Sequence, residues 1–449
     1  MFKKIILVML VTSGLLFAAK VGDVTGTKTL KVDMNMTKLA ASCVQCHAKK
    51  TPGQVNDWRK SRHGHVGVSC LDCHVVKKDS PLAGQNCPGV KGTNTYISIV
   101  VTPKTCARCH PNEVKQFDQS GHARAAIQIK SKAGMQALMH KVEARGDHKF
   151  INSPEATGCM QCHGTVVKVK NGVPDPATWP NIGIGNVYPD GSVGNCISCH
   201  SGHKFSIAES RKPAACSSCH LGPDHPDKEI YNNSQHGHIF NSEGSTWNYT
   251  AAPDAWEAGD YRAPTCAVCH MSGIGSLKST HNVSLRLKWN LWAPISKLRN
   301  GGYETAVPNY LKNGKFTKGN PLAGNPKGSA AARAQMELVC KSCHVKTFTK
   351  NFFKMADQHV GLYNVYAKDA KKMFDTLNKR GLIKKDKWSD TMFKTWYHLW
   401  HHEGRRMRQG ALMGGSDFAH WNGVFVLQQD IRVMRTIYNK RMKSGKIED

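Results

Sequence analysis

Apolar positions recur at helical spacing, with no proline, over three stretches near residues 362–382, 388–413 and 417–443. In the last of these Trp421, Phe425, Met434, Tyr438 and Met442 fall on or near one face. That pattern predicts a long, basic, amphipathic helix packed on its own chain or on a neighbouring subunit. Upstream the periodicity breaks into loops rich in glycine and proline. One runs from Asn171-Gly-Val-Pro-Asp-Pro through Tyr188-Pro-Asp-Gly-Ser, another lies around residues 318–328. At the other end, Lys3 and Lys4 precede an apolar run from Ile5 to Phe17 and then Ala18 and Ala19. Residues 1–19 therefore read as a secretory signal peptide, too short for a comfortable membrane span. Cleavage near Ala18 or Ala19 leaves no small residue at the minus-three position, so an uncleaved anchor is the alternative. No later stretch has eighteen uninterrupted apolar residues, which predicts a soluble, periplasmic mature protein.

Hydrophobic residues make up 40% of the 449 and aromatics 8%, while glycine is abundant at 40. A chain of this length ordinarily builds a larger side-chain core. Something other than side chains is expected to fill the interior.

The cysteines say what it is. Sixteen of the 17 fall in eight copies of Cys-x-x-Cys-His. The copies are Cys43, Cys46 and His47; Cys70, Cys73 and His74; Cys106, Cys109 and His110; Cys159, Cys162 and His163. They continue with Cys196, Cys199 and His200; Cys216, Cys219 and His220; Cys266, Cys269 and His270; Cys340, Cys343 and His344. Each is the attachment signature of a c-type haem, in which two thiols bond the porphyrin and the adjacent imidazole ligates the iron. A zinc ribbon needs two cysteine pairs per metal and no histidine directly after each. A redox dithiol needs one pair, not eight. Cys87, outside the motifs, reads as a small buried or loop thiol. The pattern predicts eight haem c groups and a mainly α fold of helices and loops wrapped around them. Residues 20–344 are expected to form one continuous haem-bearing unit, and residues 345–449 a C-terminal helical region.

The net charge of +30 suggests a nucleic-acid partner until the haems are counted. Eight haems carry about sixteen propionate charges, which absorb roughly half the excess and remove the case for nucleic acid. The remainder can draw a small anion or dock an acidic redox partner.

Of 23 histidines, eight follow the motif cysteines and 15 remain. Irons that relay electrons are usually closed by a second axial ligand, and a second histidine keeps their potentials low. Three segments share an aromatic residue followed by Ser-x-His: Trp58 to His63, Phe117 to His122 and Tyr231 to His236. With His203 and His281, these supply the distal candidates His63, His122, His203, His236 and His281. One of His401 or His402 is the sixth; His65, His140, His359 and His420 are open for a seventh.

Residues 58–74, 196–240, 266–289 and 400–430 resemble the octahaem hydroxylamine oxidoreductase family. The resemblance is carried by Ser61-Arg-His63 before the second motif and by Cys219-His220-Leu-Gly-Pro-Asp224-His225-Pro. Further on it is carried by His402-Glu-Gly-Arg-Arg and Asp417-Phe418-Ala-His420-Trp421. It implies a mainly helical homotrimer whose C-terminal segment reaches a neighbouring subunit's catalytic haem. It also implies that the fourth haem, at His163, is catalytic, with Asp224 and His225 in its distal pocket. Oxidising members carry a tyrosine, cross-linked to that haem, where this chain has Phe418. Phenylalanine has no phenol oxygen, so the sequence resembles the tyrosine-lacking branch that reduces nitrite.

The expected activity is thus periplasmic nitrite reduction to hydroxylamine or ammonium at one open iron fed by seven bis-histidine haems. A quinol-linked cytochrome, periplasmic or membrane-bound, is the expected donor. Asp224 and His225 are the candidate proton donors. Two rivals stand beside it. Hydroxylamine or hydrazine oxidation would need another tyrosine, such as Tyr397 or Tyr438, to supply the cross-link. A non-catalytic electron-transfer cytochrome would have every iron six-coordinate.

Overall fold

A computed structural model describes residues 36–130, 158–223, 225–287, 309–312, 315–318 and 328–448. The signal-peptide segment 1–19, His140, Asp224 and most of the 318–328 loop lie outside the described residues. Among the described residues no helix is long and apolar enough to cross a membrane.

The haem motifs are themselves single helical turns. The histidine N–H donates to the carbonyl of the motif's first cysteine in His110 to Cys106 (2.8 Å), His163 to Cys159 (2.9 Å) and His220 to Cys216 (3.0 Å). The same bond closes His200 to Cys196 (3.0 Å) and His344 to Cys340 (2.9 Å). Motifs two and seven are five-residue helices, Cys70–His74 and Cys266–His270, and the first lies inside the helix Lys38–Lys50. One turn places the two thiols and the imidazole on a common side, because residues three and four apart are neighbours on a helix. Between motifs the described residues are mostly loop. The Gly/Pro-rich stretch after motif four folds into a two-stranded ribbon, Val169–Lys170 against Val173–Pro174. Its turn residues, Asn171 and Gly172, have φ of 53° and 74°, as a primed hairpin turn requires.

The largest side-chain core lies away from the motifs, in the C-terminal bundle. Its spine is the helix Lys346–Lys379, 34 residues and about 50 Å long. Thr349, Phe353, Ala356, Val360, Tyr363, Ala367, Ala370, Phe374 and Leu377 are its buried positions, at alternating steps of four and three. That is a coiled-coil seam. It packs on Met392, Trp396, Leu399, Met407, Leu427, Ile431, Met434 and Ile437 from the following helices. Around the motifs the apolar clusters are smaller, the largest being Tyr249, Trp256, Tyr261, Ala267, Val268 and Val339.

Three sequence expectations need correcting here. The helix expected near 362–382 starts at Lys346, directly after motif eight, and ends at Lys379. The stretch 388–413 is interrupted by a π-helical turn, Leu399–Glu403, between the helices Thr391–His398 and Gly404–Leu412. A second π turn, His420–Phe425, precedes the helix Val426–Ser444. This turn rotates the register, so the expected apolar face splits. Met434 is buried and Tyr438 and Met442 pack on the core, while Trp421 and Phe425 are exposed at 53% and 42%. Inserting one residue per turn is the cause, since every side chain before it shifts around the axis.

Candidate haem centres and their axial histidines

The aromatic-x-x-Ser-x-His repeat is a device for aiming a ring. In each copy the serine hydroxyl donates to the aromatic residue's carbonyl: Ser61 to Trp58 (2.6 Å), Ser120 to Phe117 (2.7 Å), Ser234 to Tyr231 (2.7 Å). Ser61 and Ser234 then accept from the N–H groups of Gly64 (3.0 Å) and Gly237 (3.1 Å). One buried serine thereby ends one helix and N-caps the next, leaving the histidine in the first turn of the new helix. The glycine after that histidine allows the close approach. A Cβ at Gly64 would stand 2.3 Å from the Trp58 carbonyl oxygen, and one at Gly237 1.9 Å from that of Tyr231. In the middle copy Ala123 stands there, and that turn is 3₁₀ rather than α. Gly237→Ala should therefore displace His236, and electron paramagnetic resonance should show one low-spin haem signal converted to high-spin. Gly53→Ala is the control, since nothing lies within 4 Å of a Cβ there. Identical spectra from the two variants would refute the aiming role.

Two imidazoles sharing one iron stand about 6 Å apart between ring centres, from two metal–nitrogen bonds of about 2 Å and about 1 Å of ring on each side. The rings of His63 and His110 are 6.1 Å apart, His74 and His203 6.3 Å, and His122 and His220 5.9 Å. His200 and His281 are 6.3 Å apart, and His236 and His344 6.1 Å. In each pair one ring follows a motif cysteine and the other comes from a distant segment, so the residues fit an iron with two axial imidazoles. His203 reaches His74 from a strained turn, with φ of 67° at His203 and 47° at Phe205. Such backbone persists only where its surroundings hold it, and Phe205 is packed edge-on to His63 at 5.0 Å.

The remaining candidates are placed differently. Among the described residues no second imidazole faces His47 or His270. His47 Nδ1 is 3.0 Å from Thr51 Oγ1, His65 Nδ1 is 2.8 Å from the Ser61 carbonyl, and His359 Nδ1 is 3.2 Å from the Met355 carbonyl. His420 packs on Trp421. His401 and His402 lie on the first π turn, against Tyr397 and, for His402, against His398.

Burial holds several of these rings neutral, the form that binds a metal. It lowers His122, His200 and His270 to about 4; neighbouring imidazoles add to it, while at His270 the Asp227 carboxylate opposes it. His220 is the exception. Burial opposes its protonation, but the Asp227 carboxylate, 2.7 Å from Nδ1, raises it above the ordinary value. A carboxylate there fixes the ring's tautomer and orientation. Sequence reasoning missed Asp227, although its place seven residues after a motif histidine was visible.

The motifs also contact one another. Thiols of motifs three and five (Cys106, Cys196), four and six (Cys162, Cys219), and six and seven (Cys216, Cys266) lie close enough to shift one another's ionisation. Weaker electrostatic coupling joins Cys43 to Cys70, Cys73 to Cys106, Cys199 to Cys216 and Cys269 to Cys340. Motif six thus lies beside motifs four, five and seven.

His163 belongs to motif four, whose Cys162 lies beside Cys219 of motif six. Across from His163, 6.4 Å away and edge-on, is His225, from the loop that follows motif six; His225 also lies 5.9 Å from His220. Two residues later the helix Asp227–Asn233 begins, and Gly415 of the C-terminal region packs against its Ile230. Phe418, buried at 9%, sits on the turn that follows. The rival tyrosines lie in the bundle. Tyr397 is enclosed by Trp388, Trp400 and His401, and Tyr438 packs on the bundle core.

Comparisons agree with a haem-bearing chain. Residues 190–304 match the family described as "Seven times multi-haem cytochrome CxxCH", and residues 105–201 match "Cytochrome c554 and c-prime". Over 341 residues, 71% of this chain, it is 25% identical to a probable nitrite reductase-hydroxylamine oxidoreductase fusion protein from Kuenenia stuttgartiensis. It spans 35% of that relative's length. Among solved structures, a hypothetical multiheme protein superposes with a TM-score of 0.73 at 25% identity, covering 96% of this chain and 99% of the other. A Kuenenia stuttgartiensis reducing HAO-like protein complex gives 0.62 at 20% identity, covering 93% and 89%.

Proposed function

We propose that this chain, a multihaem c-type cytochrome related to hydroxylamine oxidoreductase-like proteins, binds eight haems and reduces nitrite beside His163 in the periplasm. When bound, the haems supply relayed electrons and, at His163, a coordination position for a nitrogen oxide. The observation that carries the reading is the position of His225, which faces His163 from another motif's loop.

The chain's own residues do the rest. Residual positive charge draws the anion inward. His225, with Asp224, delivers protons to the oxygens that leave as water; four electrons give hydroxylamine and six give ammonium. Asp227 is held ionised despite its burial, by its bond to His220 and the nearby His225, and so keeps an acceptor beside the proton path. Phe418 favours reduction over oxidation, because it has no phenol oxygen to offer a catalytic haem. A quinol-linked cytochrome is the donor in this reading. A homotrimer is supported by an exposed apolar stripe on the long helix and its cap, Val345, Phe348, Met355, Leu362 and Val365.

One observation favours a second reading. The 6.4 Å between His163 and His225 is close to the spacing of the five paired rings, as a fully six-coordinate relay would have. Anaerobic incubation of dye-reduced protein with labelled nitrite separates the two. The proposal expects labelled hydroxylamine or ammonium and one paramagnetic signal of the oxidised protein that shifts with nitrite. No product and no shift would leave the relay reading.

A further inference from the structure

The C-terminal bundle carries a further cluster of metal-ligating side chains. His398, His402 and Glu403 lie where the helix Thr391–His398 enters the π turn Leu399–Glu403, and one ligand atom from each falls within 4.8 Å of the others. The backbone explains the convergence. In an α-helix, residues five apart point about 140° away from each other. Here the Gly404 N–H bonds to the Leu399 carbonyl, five residues back, and the wider turn brings residue 403 back over residue 398. Residue 402 already lies one turn on, so two imidazoles and a carboxylate share one side. The two rings of His398 and His402 are 4.8 Å apart.

A second observation points to a ligand. Glu403 is 4% exposed, yet its Oε2 has no hydrogen-bond partner; its other oxygen is 3.6 Å from Arg406. Asp430, on the facing helix, likewise has a buried Oδ2 without a partner. Two carboxylates on packed elements, each with a buried oxygen short of a donor, are costly unless a cation or a proton offsets them.

We propose that His398, His402 and Glu403 bind one first-row divalent cation, with Asp430 as the outer carboxylate that helps neutralise it. Two imidazoles and one carboxylate on one side form a three-ligand set with open positions, suited to Zn2+ or Fe2+ and poorly suited to Ca2+ or Mg2+. The exposed His398 gives the cation its entry from solvent. The assignment makes His401, not His402, the member of that pair left for any haem.

The test uses the full haem-loaded protein, stripped with a chelator and then titrated with Zn2+, because zinc is counted independently of haem iron. The expected result is one zinc per chain in the wild type. His398→Ala, at an exposed position, and the isosteric Glu403→Gln should each weaken binding at least tenfold, with haem content and low-spin signals unchanged. Zinc also should raise the wild-type melting temperature and leave that of His398→Ala where it was. Equal zinc affinity in wild type and both variants would overturn the proposal. So would loss of a low-spin haem signal on adding zinc, which would mean that His402 is held by an iron.

Discussion

Replacing Asp390 with alanine should destabilise the C-terminal bundle by about 3–5 kcal/mol, the cost of stranding the other half of a buried ion pair. Asp390 and Arg441 are both fully buried, with Oδ2 2.9 Å from the guanidinium. The same carboxylate accepts from the N–H groups of Met392 (2.8 Å) and Phe393 (3.2 Å), capping the helix they start, and from that of Lys384 (2.8 Å). Arg441 in turn donates to the carbonyls of Leu382 (2.8 Å) and Glu448 (2.7 Å). One pair therefore ties the end of the long helix, the start of the next and the chain's last helix together. Denaturant titration followed by far-ultraviolet circular dichroism measures the loss, and the pyridine haemochrome measures haem content, which should not change. Asp390→Asn keeps the cap but removes the charge and should fall between. A loss under about 1 kcal/mol for alanine would mean that water reaches Arg441 and that the bundle is looser than its packing implies.

How much of this was visible beforehand differs by region. The eight motifs needed no tertiary information, because one helical turn brings two thiols and an imidazole together wherever it occurs. The Ser-x-His repeat was legible as a pattern but not as a cause. Its meaning lies in hydrogen bonds to the preceding aromatic residue's carbonyl and in the crowding at Gly64 and Gly237, which is a matter of local geometry. Which proximal ring each distal histidine faces could not be read at all. His203 reaches back to His74, across more than a hundred residues, and only the folded chain fixes that pairing. The C-terminal helices were recognisable by period, yet two π turns moved Trp421 and Phe425 out of the face assigned to them. A π turn depends on how neighbouring helices fit, and nothing in the periodicity announces it. The cluster at His398, His402 and Glu403 was hidden for the same reason, since its residues share a side only where the helix widens.

His225→Ala should lower nitrite turnover by about 100-fold or more, the usual loss when a positioned proton donor is removed. The ring stands 6.4 Å from His163 and 5.9 Å from His220, so the substitution touches two haem environments. His220 keeps its own partner, His122 at 5.9 Å, and its bond to Asp227, so its low-spin signal should persist. Haem content should equal that of the wild type, because neither cysteine of motif four or six is altered. Partial recovery of turnover on adding free imidazole would mark a lost proton carrier rather than a collapsed pocket. The competing relay reading predicts the opposite sign. If His225 closes an iron, its removal opens a position, and a protein inert to nitrite would begin to bind it and show a new high-spin signal. Steady-state nitrite consumption and paramagnetic resonance on the same preparation therefore separate a proton donor from a sixth ligand by direction alone, without reliance on the size of either effect.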